Sequence, residues 1–398
     1  MVQLAQHRVC ISKAHLRASR ILTLVVVLVF GAASAPLAKA QTFTTLYNFT
    51  DGTDGAYPEA GVVEDQASNL YGTTESGGSS NSGVVFRLSL SGTETVLYNF
   101  SGGSDGGYPV APLTRDDNGM LYGTTYSGGA YGEGVVFMVD SGTETVLHSF
   151  AGGTTDGCYP DGGLAMDKDG GLYGTTNSCG ANDKGIVFKL NKKGTFTLLH
   201  SFAGGPTDGA SPSYTGLVVT KEGEVYGVTT GGGSSSKGVV YKLTKKGITV
   251  LHSFAGGTTD GCGPHGTPAL DTTGNLYGTT YGCGSSSYGT VWKVSQKGAE
   301  TILHSFAGYP TDGCGALGGV VLDSKGNLYG NTDSCGAKGY YGTVWKLGKG
   351  TFSLLHSFAD SDGASPWGDL LRDVKGGLYG TTVSGGSDYY GTVWKYVP

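Results

Sequence analysis

Charged residues and long apolar runs are scarce in this sequence, and each scarcity excludes a class of protein. Only 15% of the 398 residues are charged, which leaves little material for long solvated helices. Beyond residue 40 no apolar run reaches the ~20 residues that a membrane-spanning helix needs. No phosphate loop, dinucleotide fingerprint or nucleophile motif is present either. The chain instead contains 73 glycines and 24 tyrosines. That composition is typical of short strands joined by glycine turns, so we expect an all-β fold.

The first forty residues differ in composition from the rest of the chain. Four basic residues precede an apolar run at 21–30, and Ala38, Lys39 and Ala40 then form a small-residue cleavage site. We therefore predict a secretory signal peptide at residues 1–40, with an uncleaved membrane anchor as the alternative. Cleavage removes five basic and no acidic residues from totals of 26 and 32, which leaves a net charge of −11. That charge argues against nucleic acid and anionic membranes as partners. We expect a soluble monomer that is secreted or periplasmic.

One phrase, Leu-Tyr-Gly-Thr-Thr or a close variant, recurs at spacings of 50 to 53 residues. Its tyrosines are Tyr71, Tyr122, Tyr173, Tyr226, Tyr277, Tyr329 and Tyr379. Such a period predicts a repeat architecture in which each copy is one supersecondary unit. Each copy contains four strand-like segments, named a to d, with short a–b and c–d turns and a d–a link of about a dozen residues. This asymmetry predicts the blades of a β-propeller, since the link must return from the rim to the centre of the ring.

Strand counting predicts how the ring closes. The chain begins with a lone d-type strand at residues 43–49 and ends after a c-type strand at 391–396. If these two strands pair, all seven blades are complete and no sheet edge stays open. We therefore predict one domain over residues 41–398, an all-β, seven-bladed β-propeller of four-stranded antiparallel blades. Residues 43–49 would close its ring.

Six cysteines form three pairs, each separated by 21 positions. The pairs are Cys158 with Cys179, Cys262 with Cys283, and Cys314 with Cys335. One cysteine of each pair lies in the d–a link and the other in the b–c loop. These two connections emerge on the same side of the ring, which we call the upper face. The other four repeats lack both cysteines together, so we predict three disulfides. A zinc site is the alternative, although no histidine lies nearby to complete it.

These sequence strings resemble a known family. Leu-Tyr-Gly-Thr-Thr, Gly-Thr-Val-Trp-Lys and Leu-His-Ser-Phe-Ala-Gly-Gly-Thr-Thr-Asp-Gly are similar to the GloVer tandem repeat of exported bacterial proteins, over residues 42–398. The resemblance implies export and a repeat fold, not an established activity. The family carries a choice of carboxyl-terminal anchors, and because none follows Pro398 we do not expect attachment to the cell surface. A weaker likeness to kelch propellers, which place their glycine pair, tyrosine and tryptophan differently, supports the fold by analogy.

Aspartate and histidine recur at fixed repeat positions. Each link carries an Asp-Gly pair, at Asp54, Asp105, Asp156, Asp208, Asp260, Asp312 and Asp362. Such pairs are typical of turns in which the aspartate accepts a backbone N–H. The alternative is calcium binding, for which the candidates are Asp51, Asp54, Asp360 and Asp362. Strand d carries histidine in five repeats, at His148, His200, His252, His304 and His356. Strand d is the outer strand, so these side chains should be spread around the rim without converging.

Aromatic residues divide into a core set and a surface set. The strand-c aromatics are predicted to fill the space between blades: Phe86, Phe137, Phe188, Tyr241, Trp292, Trp345 and Trp394. The surface set lies in or beside the upper-face links and loops: Tyr57, Tyr108, Tyr159, Trp367, Tyr126, Tyr281, Tyr340 and Tyr389. Aromatic faces beside carboxylates and amides suit carbohydrate or peptide recognition. Our leading interpretation is therefore an extracellular binding module, with loop stabilisation as the alternative role of these rings.

Five polar residues depart from the repeat in upper-face loops: Glu75, Glu133, Asp183, His265 and Asp333. His265 is the one histidine at its repeat position and joins the predicted ligand-binding set, although no catalytic partner is evident in the sequence. Non-repeating polar residues around a ring axis also suit an active site. A polysaccharide hydrolase or lyase is therefore the alternative function, and a scaffold without a small ligand the second alternative. We expect binding rather than catalysis, a glycan or protein partner, and no cofactor apart from calcium.

Overall fold

The computed structural model describes residues 41–398, and the predicted signal peptide at 1–40 lies outside the described residues. The described residues form seven four-stranded antiparallel sheets, each with its strands in the order a, b, c, d. These sheets are the blades of a seven-bladed β-propeller, as predicted. The described residues contain one helical element, the 3-10 helix Asp360–Asp362. Within residues 41–398 no helix is long and apolar enough to cross a membrane.

The blades are numbered in chain order, with blade 1 starting at residue 63. From blade 1 to blade 7, strand a spans Val63–Glu64, Thr114–Arg115, Ala165–Met166, Val218–Val219, Gly261–Leu270, Val321–Leu322 and Leu371–Arg372. Strand b spans Leu70–Thr74, Leu121–Thr125, Leu172–Thr176, Val225–Thr229, Leu276–Cys283, Leu328–Thr332 and Leu378–Thr382. Strand c spans Val84–Leu88, Val135–Asp140, Ile186–Leu190, Val239–Thr244, Thr290–Val294, Thr343–Gly348 and Thr392–Val397. Strand d spans Glu94–Asn99, Thr143–Ser149, Phe196–Ser201, Gly247–Ser253, Glu300–Ser305, Thr351–Ser357 and, in blade 7, Thr42–Asn48.

The ring closes through the first strand of the described chain, as the strand count predicts. Thr42–Asn48 pairs antiparallel with Thr392–Val397 over six residue pairs and so becomes the outer strand of blade 7. A side-chain hydrogen bond also joins the two ends of the ring. Thr381 Oγ1 in blade 7 donates to the Ala60 carbonyl, just before blade 1, at 2.8 Å. The first and last parts of residues 41–398 therefore share one blade, which removes the edges that an open ring would expose.

The core lies between the blades and repeats one aromatic contact seven times. A fully buried phenylalanine directly after strand d packs against the strand-c aromatic of the next blade. The ring centroids are 5.0–5.8 Å apart and the ring planes are inclined by 61–69°. The pairs are Phe49–Phe86, Phe100–Phe137, Phe150–Phe188, Phe202–Tyr241, Phe254–Trp292, Phe306–Trp345 and Phe358–Trp394. Edge-to-face pairs add about 0.5–1.5 kcal/mol each beyond area burial. The predicted core role of the strand-c aromatics is confirmed.

The strand-c ring explains the glycine in the middle of each Leu-Tyr-Gly-Thr-Thr phrase. The ring lies across strand b of its own blade and leaves no room there for a side chain. At Gly174 a Cβ atom would lie 2.5 Å from Phe188 Cζ, and at Gly330 it would lie 2.4 Å from Trp345 Cζ2. Interiors are packed too closely to absorb such overlaps without moving backbone. The most constant phrase of the repeat is therefore a packing requirement.

Backbone contacts on the upper face join each link to the b–c loops of two blades. The residue before the link proline donates its N–H to the b–c loop of the preceding blade, as Tyr57 does to the Tyr390 carbonyl at 2.9 Å. The link also pairs with the b–c loop of its own blade. In blade 3 this pairing forms a small sheet from Gly157–Cys158 and Ser178–Cys179, and blade 4 repeats it. Links and b–c loops therefore share one face, as predicted.

Three disulfides reinforce this pairing of link and loop in blades 3, 5 and 6. They join Cys158 to Cys179, Cys262 to Cys283, and Cys314 to Cys335, with Cα atoms 5.4–5.5 Å apart. The predicted disulfides are thus confirmed, and the alternative of a zinc site at these thiols is wrong. Disulfides of this kind persist in oxidising compartments outside the cytoplasm.

Candidate functional site

The blades converge on a cavity of about 220 Å³ at the ring axis. All seven blades contribute to its wall, because each presents one residue there four positions before the strand-a residue that pairs with the phrase tyrosine; in blade 5 this residue, His265, already belongs to the longer strand a. We call these residues the axial ring: Glu59, Val110, Asp161, Tyr214, His265, Leu317 and Trp367. The links belong to the upper face, so the cavity lies at the upper end of the axis.

A proline in the link sets the approach of the chain to the axis. It directly precedes the axial residue in five blades, as Pro58 precedes Glu59. The proline packs against the glycine before strand c of the preceding blade. At Gly83, for example, a Cβ atom would lie 2.7 Å from Pro109 Cδ. Because proline also fixes its own φ, the same local geometry delivers a different side chain to the cavity in each of these five blades.

Two carboxyl groups of the axial ring have pKa values well above the ordinary range. Burial raises the pKa of Glu59 to about 8, and the charges of Glu75 and Asp161 act in the same direction. Asp161 is 1% exposed, and burial raises its pKa to about 7 even though the Ser213 hydroxyl donates to its Oδ2 at 2.8 Å. Within residues 41–398, Glu59 Oε2 and Asp161 Oδ1 are buried without a hydrogen-bond partner. Such oxygens cost about 1–3 kcal/mol each and can accept a bond from a ligand hydroxyl.

A histidine and two aromatic residues complete the polar side of the cavity. Burial lowers the pKa of His265 to about 4, so its imidazole is neutral at pH 7. Its Nδ1 is buried and unpaired in the described part of the chain. The Trp367 indole N–H donates to Asp333 Oδ1 at 2.7 Å, which orients the indole. Tyr214 is 41% exposed at the cavity wall. The cavity thus offers neutral hydrogen-bonding groups beside an aromatic face.

A second circle of residues surrounds the axial ring. It consists of the residue that follows the Leu-Tyr-Gly-Thr-Thr phrase in each blade: Glu75, Tyr126, Asn177, Thr230, Tyr281, Asp333 and Val383. Asn177 donates to Ser213 Oγ at 3.3 Å, beside Asp161. The Tyr281 ring lies 6.1 Å from the His265 ring. Members of this second circle therefore contact axial side chains, and two of them, Glu75 beside Glu59 and Asp333 beside Trp367, are non-repeating polar residues.

The other two non-repeating polar residues lie outside the axial ring and the second circle. Asp183 Oδ1 accepts the Cys179 N–H at 3.0 Å within a b–c loop. Glu133 lies beside Tyr159 and raises the pKa of that hydroxyl. Both residues act in their loops and do not line the axial cavity.

Two of the predicted binding residues, His265 and Trp367, line the axial cavity, whereas the predicted tyrosines lie elsewhere on the upper face. Among the described residues, eight of the ten exposed large apolar side chains are tyrosines in links or b–c loops: Tyr108, Tyr131, Tyr214, Tyr281, Tyr288, Tyr309, Tyr340 and Tyr389. Exposed apolar surface gathered on one side of a protein is typical of a binding face.

Three of the predicted tyrosines occupy a strained backbone position. Tyr57, Tyr108 and Tyr159 have φ of 56–59° at one shared link position. For residues other than glycine this conformation costs about 1–2 kcal/mol. Two rings of the surface set also pack on neighbours: Tyr126 stacks on Tyr159 with centroids 5.1 Å apart, and Tyr340 stacks on a link tyrosine at 5.5 Å. Loop packing therefore accounts for part of this aromatic set, as the alternative interpretation predicts.

The link aspartates and strand-d histidines form local pairs around the rim. His304 Nε2, for example, lies 2.8 Å from Asp312 Oδ2, and the Tyr98 hydroxyl donates to Asp105 at 2.9 Å in the corresponding place. Each carboxylate also accepts backbone N–H groups of its own link, as Asp312 does from the Ala307 N–H at 2.8 Å. These contacts are the turn role predicted for the Asp-Gly pairs, and the histidines do not converge.

The calcium candidates lie in two different links. Asp54 accepts bonds from the Tyr47 hydroxyl and from the Thr50 N–H and hydroxyl, at 2.7–3.0 Å. Asp362 accepts from His356 and from the Ala359 N–H. The other two candidates, Asp51 and Asp360, flank these aspartates in the same links. Calcium binding stays a prediction, and a rise in melting temperature with calcium that chelator reverses would support it.

Glu59, Asp161 and Tyr214 are cavity residues that the sequence reasoning missed. The signal that identifies them is divergence: the axial position carries seven different residue types in seven repeats, while the flanking positions repeat. A search for recurring motifs passes over such a position. Reading the repeats for the one column that never recurs would have found all seven residues of the axial ring.

Comparisons with known proteins identify the family and the fold. The Gloeobacter/Verrucomicrobia repeat matches at residues 36–236 and 212–398, and no curated protein matches the sequence. The extracellular domain of the putative hybrid two component system BT4673 from B. thetaiotaomicron is 12% identical, with a TM-score of 0.54. The match covers 89% of this chain but only 39% of that chain.

A second solved structure is similar over most of its own length. A putative 6-phosphogluconolactonase from Bacteroides uniformis ATCC 8492 is 18% identical, with a TM-score of 0.51, over 78% of this chain and 88% of that chain. At these identities the two structures show the fold alone. The two family matches together extend over the whole propeller. This chain therefore belongs to the Gloeobacter/Verrucomicrobia repeat family, in agreement with its resemblance to the GloVer repeat.

Proposed function

We propose that this protein is an exported carbohydrate-binding module that holds the terminal sugar of a glycan in its axial cavity. The observation that carries the proposal is the axial ring, where seven similar blades present seven different side chains to one cavity. Positions that serve only the fold repeat from blade to blade, as the phenylalanine after strand d does. An axial position that varies in every blade fits selection for a ligand.

The chemistry of the cavity favours a neutral, hydroxyl-rich ligand. The Trp367 ring offers an apolar face for a sugar ring, and Glu59 and Asp161 offer unpaired oxygens to its hydroxyl groups. The lining residues include three acidic side chains, Glu59, Asp161 and Asp369, and neither lysine nor arginine. An anionic ligand such as a sugar phosphate would meet no countercharge there.

The size of the cavity favours one sugar ring. Its volume of about 220 Å³ is below the roughly 300–1,000 Å³ of ordinary small-molecule sites. A longer glycan would place its next units over the exposed upper-face tyrosines, whose rings suit stacking on sugars. Export is part of the proposal, since three disulfides and the predicted signal peptide both fit an oxidising compartment.

A glycan array followed by calorimetry tests this proposal. We expect the purified protein to bind a defined set of glycans. Trp367→Val, which copies the residue of blade 2, should weaken binding by about two- to tenfold through loss of aromatic contact. Glu59→Gln keeps the size of the side chain and should change affinity above pH 8. Val374→Ala, at a fully exposed a–b turn on the opposite face, is the control.

Two outcomes would contradict the proposed function. If no glycan binds above background, the scaffold or peptide-binding alternatives gain support. If Trp367→Val and Val374→Ala bind a glycan equally well, the ligand site lies in the outer loops and not in the axial cavity.

The acid–base groups of the cavity favour one second candidate, a polysaccharide hydrolase or lyase. A carboxylic acid that is still protonated near neutral pH, such as Glu59, suits a general acid, and Asp161, whose pKa burial raises to about 7, suits a base. Release of product from a bound glycan, lost in both Glu59→Gln and Asp161→Asn, would establish catalysis. Binding without product release would support the module alone.

A further inference from the structure

Histidine and glutamate meet once on the rim of the ring, between blades 4 and 5. His252 belongs to strand d of blade 4, Asp260 to the link that follows it, and Glu300 to strand d of blade 5. One nitrogen or oxygen atom from each residue lies within 4.8 Å of the other two. The three side chains are 11–17% exposed, so they are mostly buried but within reach of solvent.

The other six blade junctions define what this location usually contains. Each has a strand-d histidine or tyrosine, a link aspartate, and a residue from strand d of the next blade. In three junctions a histidine stacks on a phenylalanine, with ring centroids 3.7–4.4 Å apart: His148–Phe196, His304–Phe352 and His356–Phe43. One junction has histidine and isoleucine, His200 and Ile248, and two have tyrosine and glutamate, Tyr47 with Glu94 and Tyr98 with Glu144. Histidine thus goes with an apolar partner and tyrosine with an acidic one.

The junction between blades 4 and 5 instead combines a histidine with an acidic residue. Its histidine also lies farther from the link aspartate than the histidines of the other junctions do. His252 Nε2 lies 3.5 Å from Asp260 Oδ2, whereas the other four histidines approach their aspartates to 2.8–3.1 Å. His252 Nε2 lies 3.7 Å from Glu300 Oε2. Both His252 Nε2 and Glu300 Oε1 are buried without a hydrogen-bond partner within residues 41–398. Two of the three side chains therefore keep an atom without a hydrogen-bond partner, and the cluster brings one ligand atom from each side chain within 4.8 Å of the others.

We propose that His252, Asp260 and Glu300 form a Zn²⁺ site, with water as the fourth ligand. Zinc–nitrogen and zinc–oxygen bonds of about 2.0–2.2 Å place two ligands of a tetrahedral ion about 3.4 Å apart. The observed separations of 3.5 and 3.7 Å are close to that value. One imidazole and two carboxylates are donors that zinc accepts, while calcium prefers six or more oxygens. The ion would join two blades at the rim.

Titration of the untagged, chelator-treated protein tests this site. We expect one Zn²⁺ per chain by calorimetry, and a visible absorption band typical of tetrahedral coordination when Co²⁺ replaces it. Glu300→Phe copies the histidine–phenylalanine junctions and His252→Tyr copies the tyrosine–glutamate junctions, so both variants should fold. Loss of a supporting residue around a metal costs about 10–100-fold in affinity, so loss of a ligand should cost about 100-fold or more.

A matched pair of variants separates this site from adventitious binding. Glu300→Gln and Glu144→Gln make the same chemical change at equivalent positions of blades 5 and 2. Only the first should weaken Zn²⁺ binding, and both variants should still fold and unfold cooperatively without metal. The proposal is overturned if the wild type binds no Zn²⁺, or if Glu300→Gln and Glu300→Phe bind it as tightly as the wild type.

Discussion

At the scale of single residues, several carboxyl groups are kept from ionising by burial. Burial raises the pKa of Glu59 to about 8 at the axis. Burial also raises the pKa values of Glu94 and Glu144 to about 7 at the rim, where the charge of a link aspartate adds to the effect. Because desolvation penalises only the charged form, each of these groups makes the free energy of unfolding depend on pH.

Stability should fall as pH rises through the neutral range. The folded protein keeps the proton of Glu59 up to about pH 8, whereas the unfolded chain releases it near the ordinary value of 4.5. Between these limits the folded state binds more protons, so the free energy of unfolding decreases by at most about 1.4 kcal/mol per pH unit for one such group. Above about pH 8 most of the remaining slope belongs to Glu59, because the carboxyl groups with a pKa of about 7 have largely ionised there.

Chemical denaturation between pH 7 and 9 measures this slope. We expect Glu59→Gln to make the profile less steep between pH 7 and 9, most clearly above pH 8, while Glu222→Gln, a loss of charge at an exposed turn, leaves it unchanged. A wild-type profile that is already flat in this interval would show that Glu59 ionises normally in the folded protein.

Residues that recur could be predicted from the sequence, and residues that act alone mostly could not. The strand-c aromatics were identified because an aromatic residue recurs at the same position in seven repeats. The disulfides were identified because the same cysteine spacing recurs in three repeats. His265 was found because histidine stands out chemically at its position. Glu59 and Asp161 were missed because burial and the approach of other blades, rather than local sequence, give them their altered pKa values.

At the scale of elements, the link decides most of what is specific to this protein. It starts at the rim, pairs with the b–c loop of its own blade, and ends at the axial cavity. The backbone pairing exists with and without cysteine: Gly209–Ala210 pairs with Gly231–Gly232 in blade 4, as Gly157–Cys158 pairs with Ser178–Cys179 in blade 3. The disulfides therefore strengthen an arrangement that the backbone already makes.

Replacing the two cysteines of one disulfide by the residues at the same positions of blade 4 tests whether the backbone pairing alone can hold the link. Cys158→Ala with Cys179→Gly reproduces Ala210 and Gly232, and glycine also suits the φ of 65° at residue 179. We expect an intact fold whose free energy of unfolding is lower by about 3 kcal/mol, the loop-closure value for a loop of this size. Circular dichroism and denaturant titration measure both quantities. An unfolded double variant would mean that the disulfide, and not the backbone pairing, holds the link.

At the scale of the whole molecule, the number of blades and the closure of the ring were predictable from the sequence alone. The number of blades follows from counting the repeats. The closure follows because the last repeat lacks a strand d, and the extra d-type strand at residues 43–49 can supply it. The position of the cavity was less accessible, because it depends on seven links meeting at one axis. The upper face was predicted as the site of binding, and the cavity lies at the axial end of that face.

Moving the closing strand tests the architecture. Deleting residues 41–49 removes the partner of Thr392–Val397 and exposes that strand as an open edge, so we expect aggregation or loss of cooperative unfolding. Attaching the same residues behind Pro398 through a flexible linker should restore a monodisperse protein, since the strand then reaches the same place from the other end. Light scattering and thermal unfolding distinguish the two constructions. A truncated chain with wild-type stability would show that blade 7 does not need its outer strand.

The shared blade also fixes the order of events in time. Translation delivers the chain from its amino end, so the strand Thr42–Asn48 is made well before its partner Thr392–Val397. Six blades can form their own hairpins in the meantime, but the first strand must wait as a free edge until its partner has been synthesised. That strand has three threonines in seven residues but also carries Phe43, Leu46 and Tyr47, so the waiting segment exposes apolar side chains as well as free backbone groups. Premature association with other chains during this interval is the hazard that this order of synthesis creates.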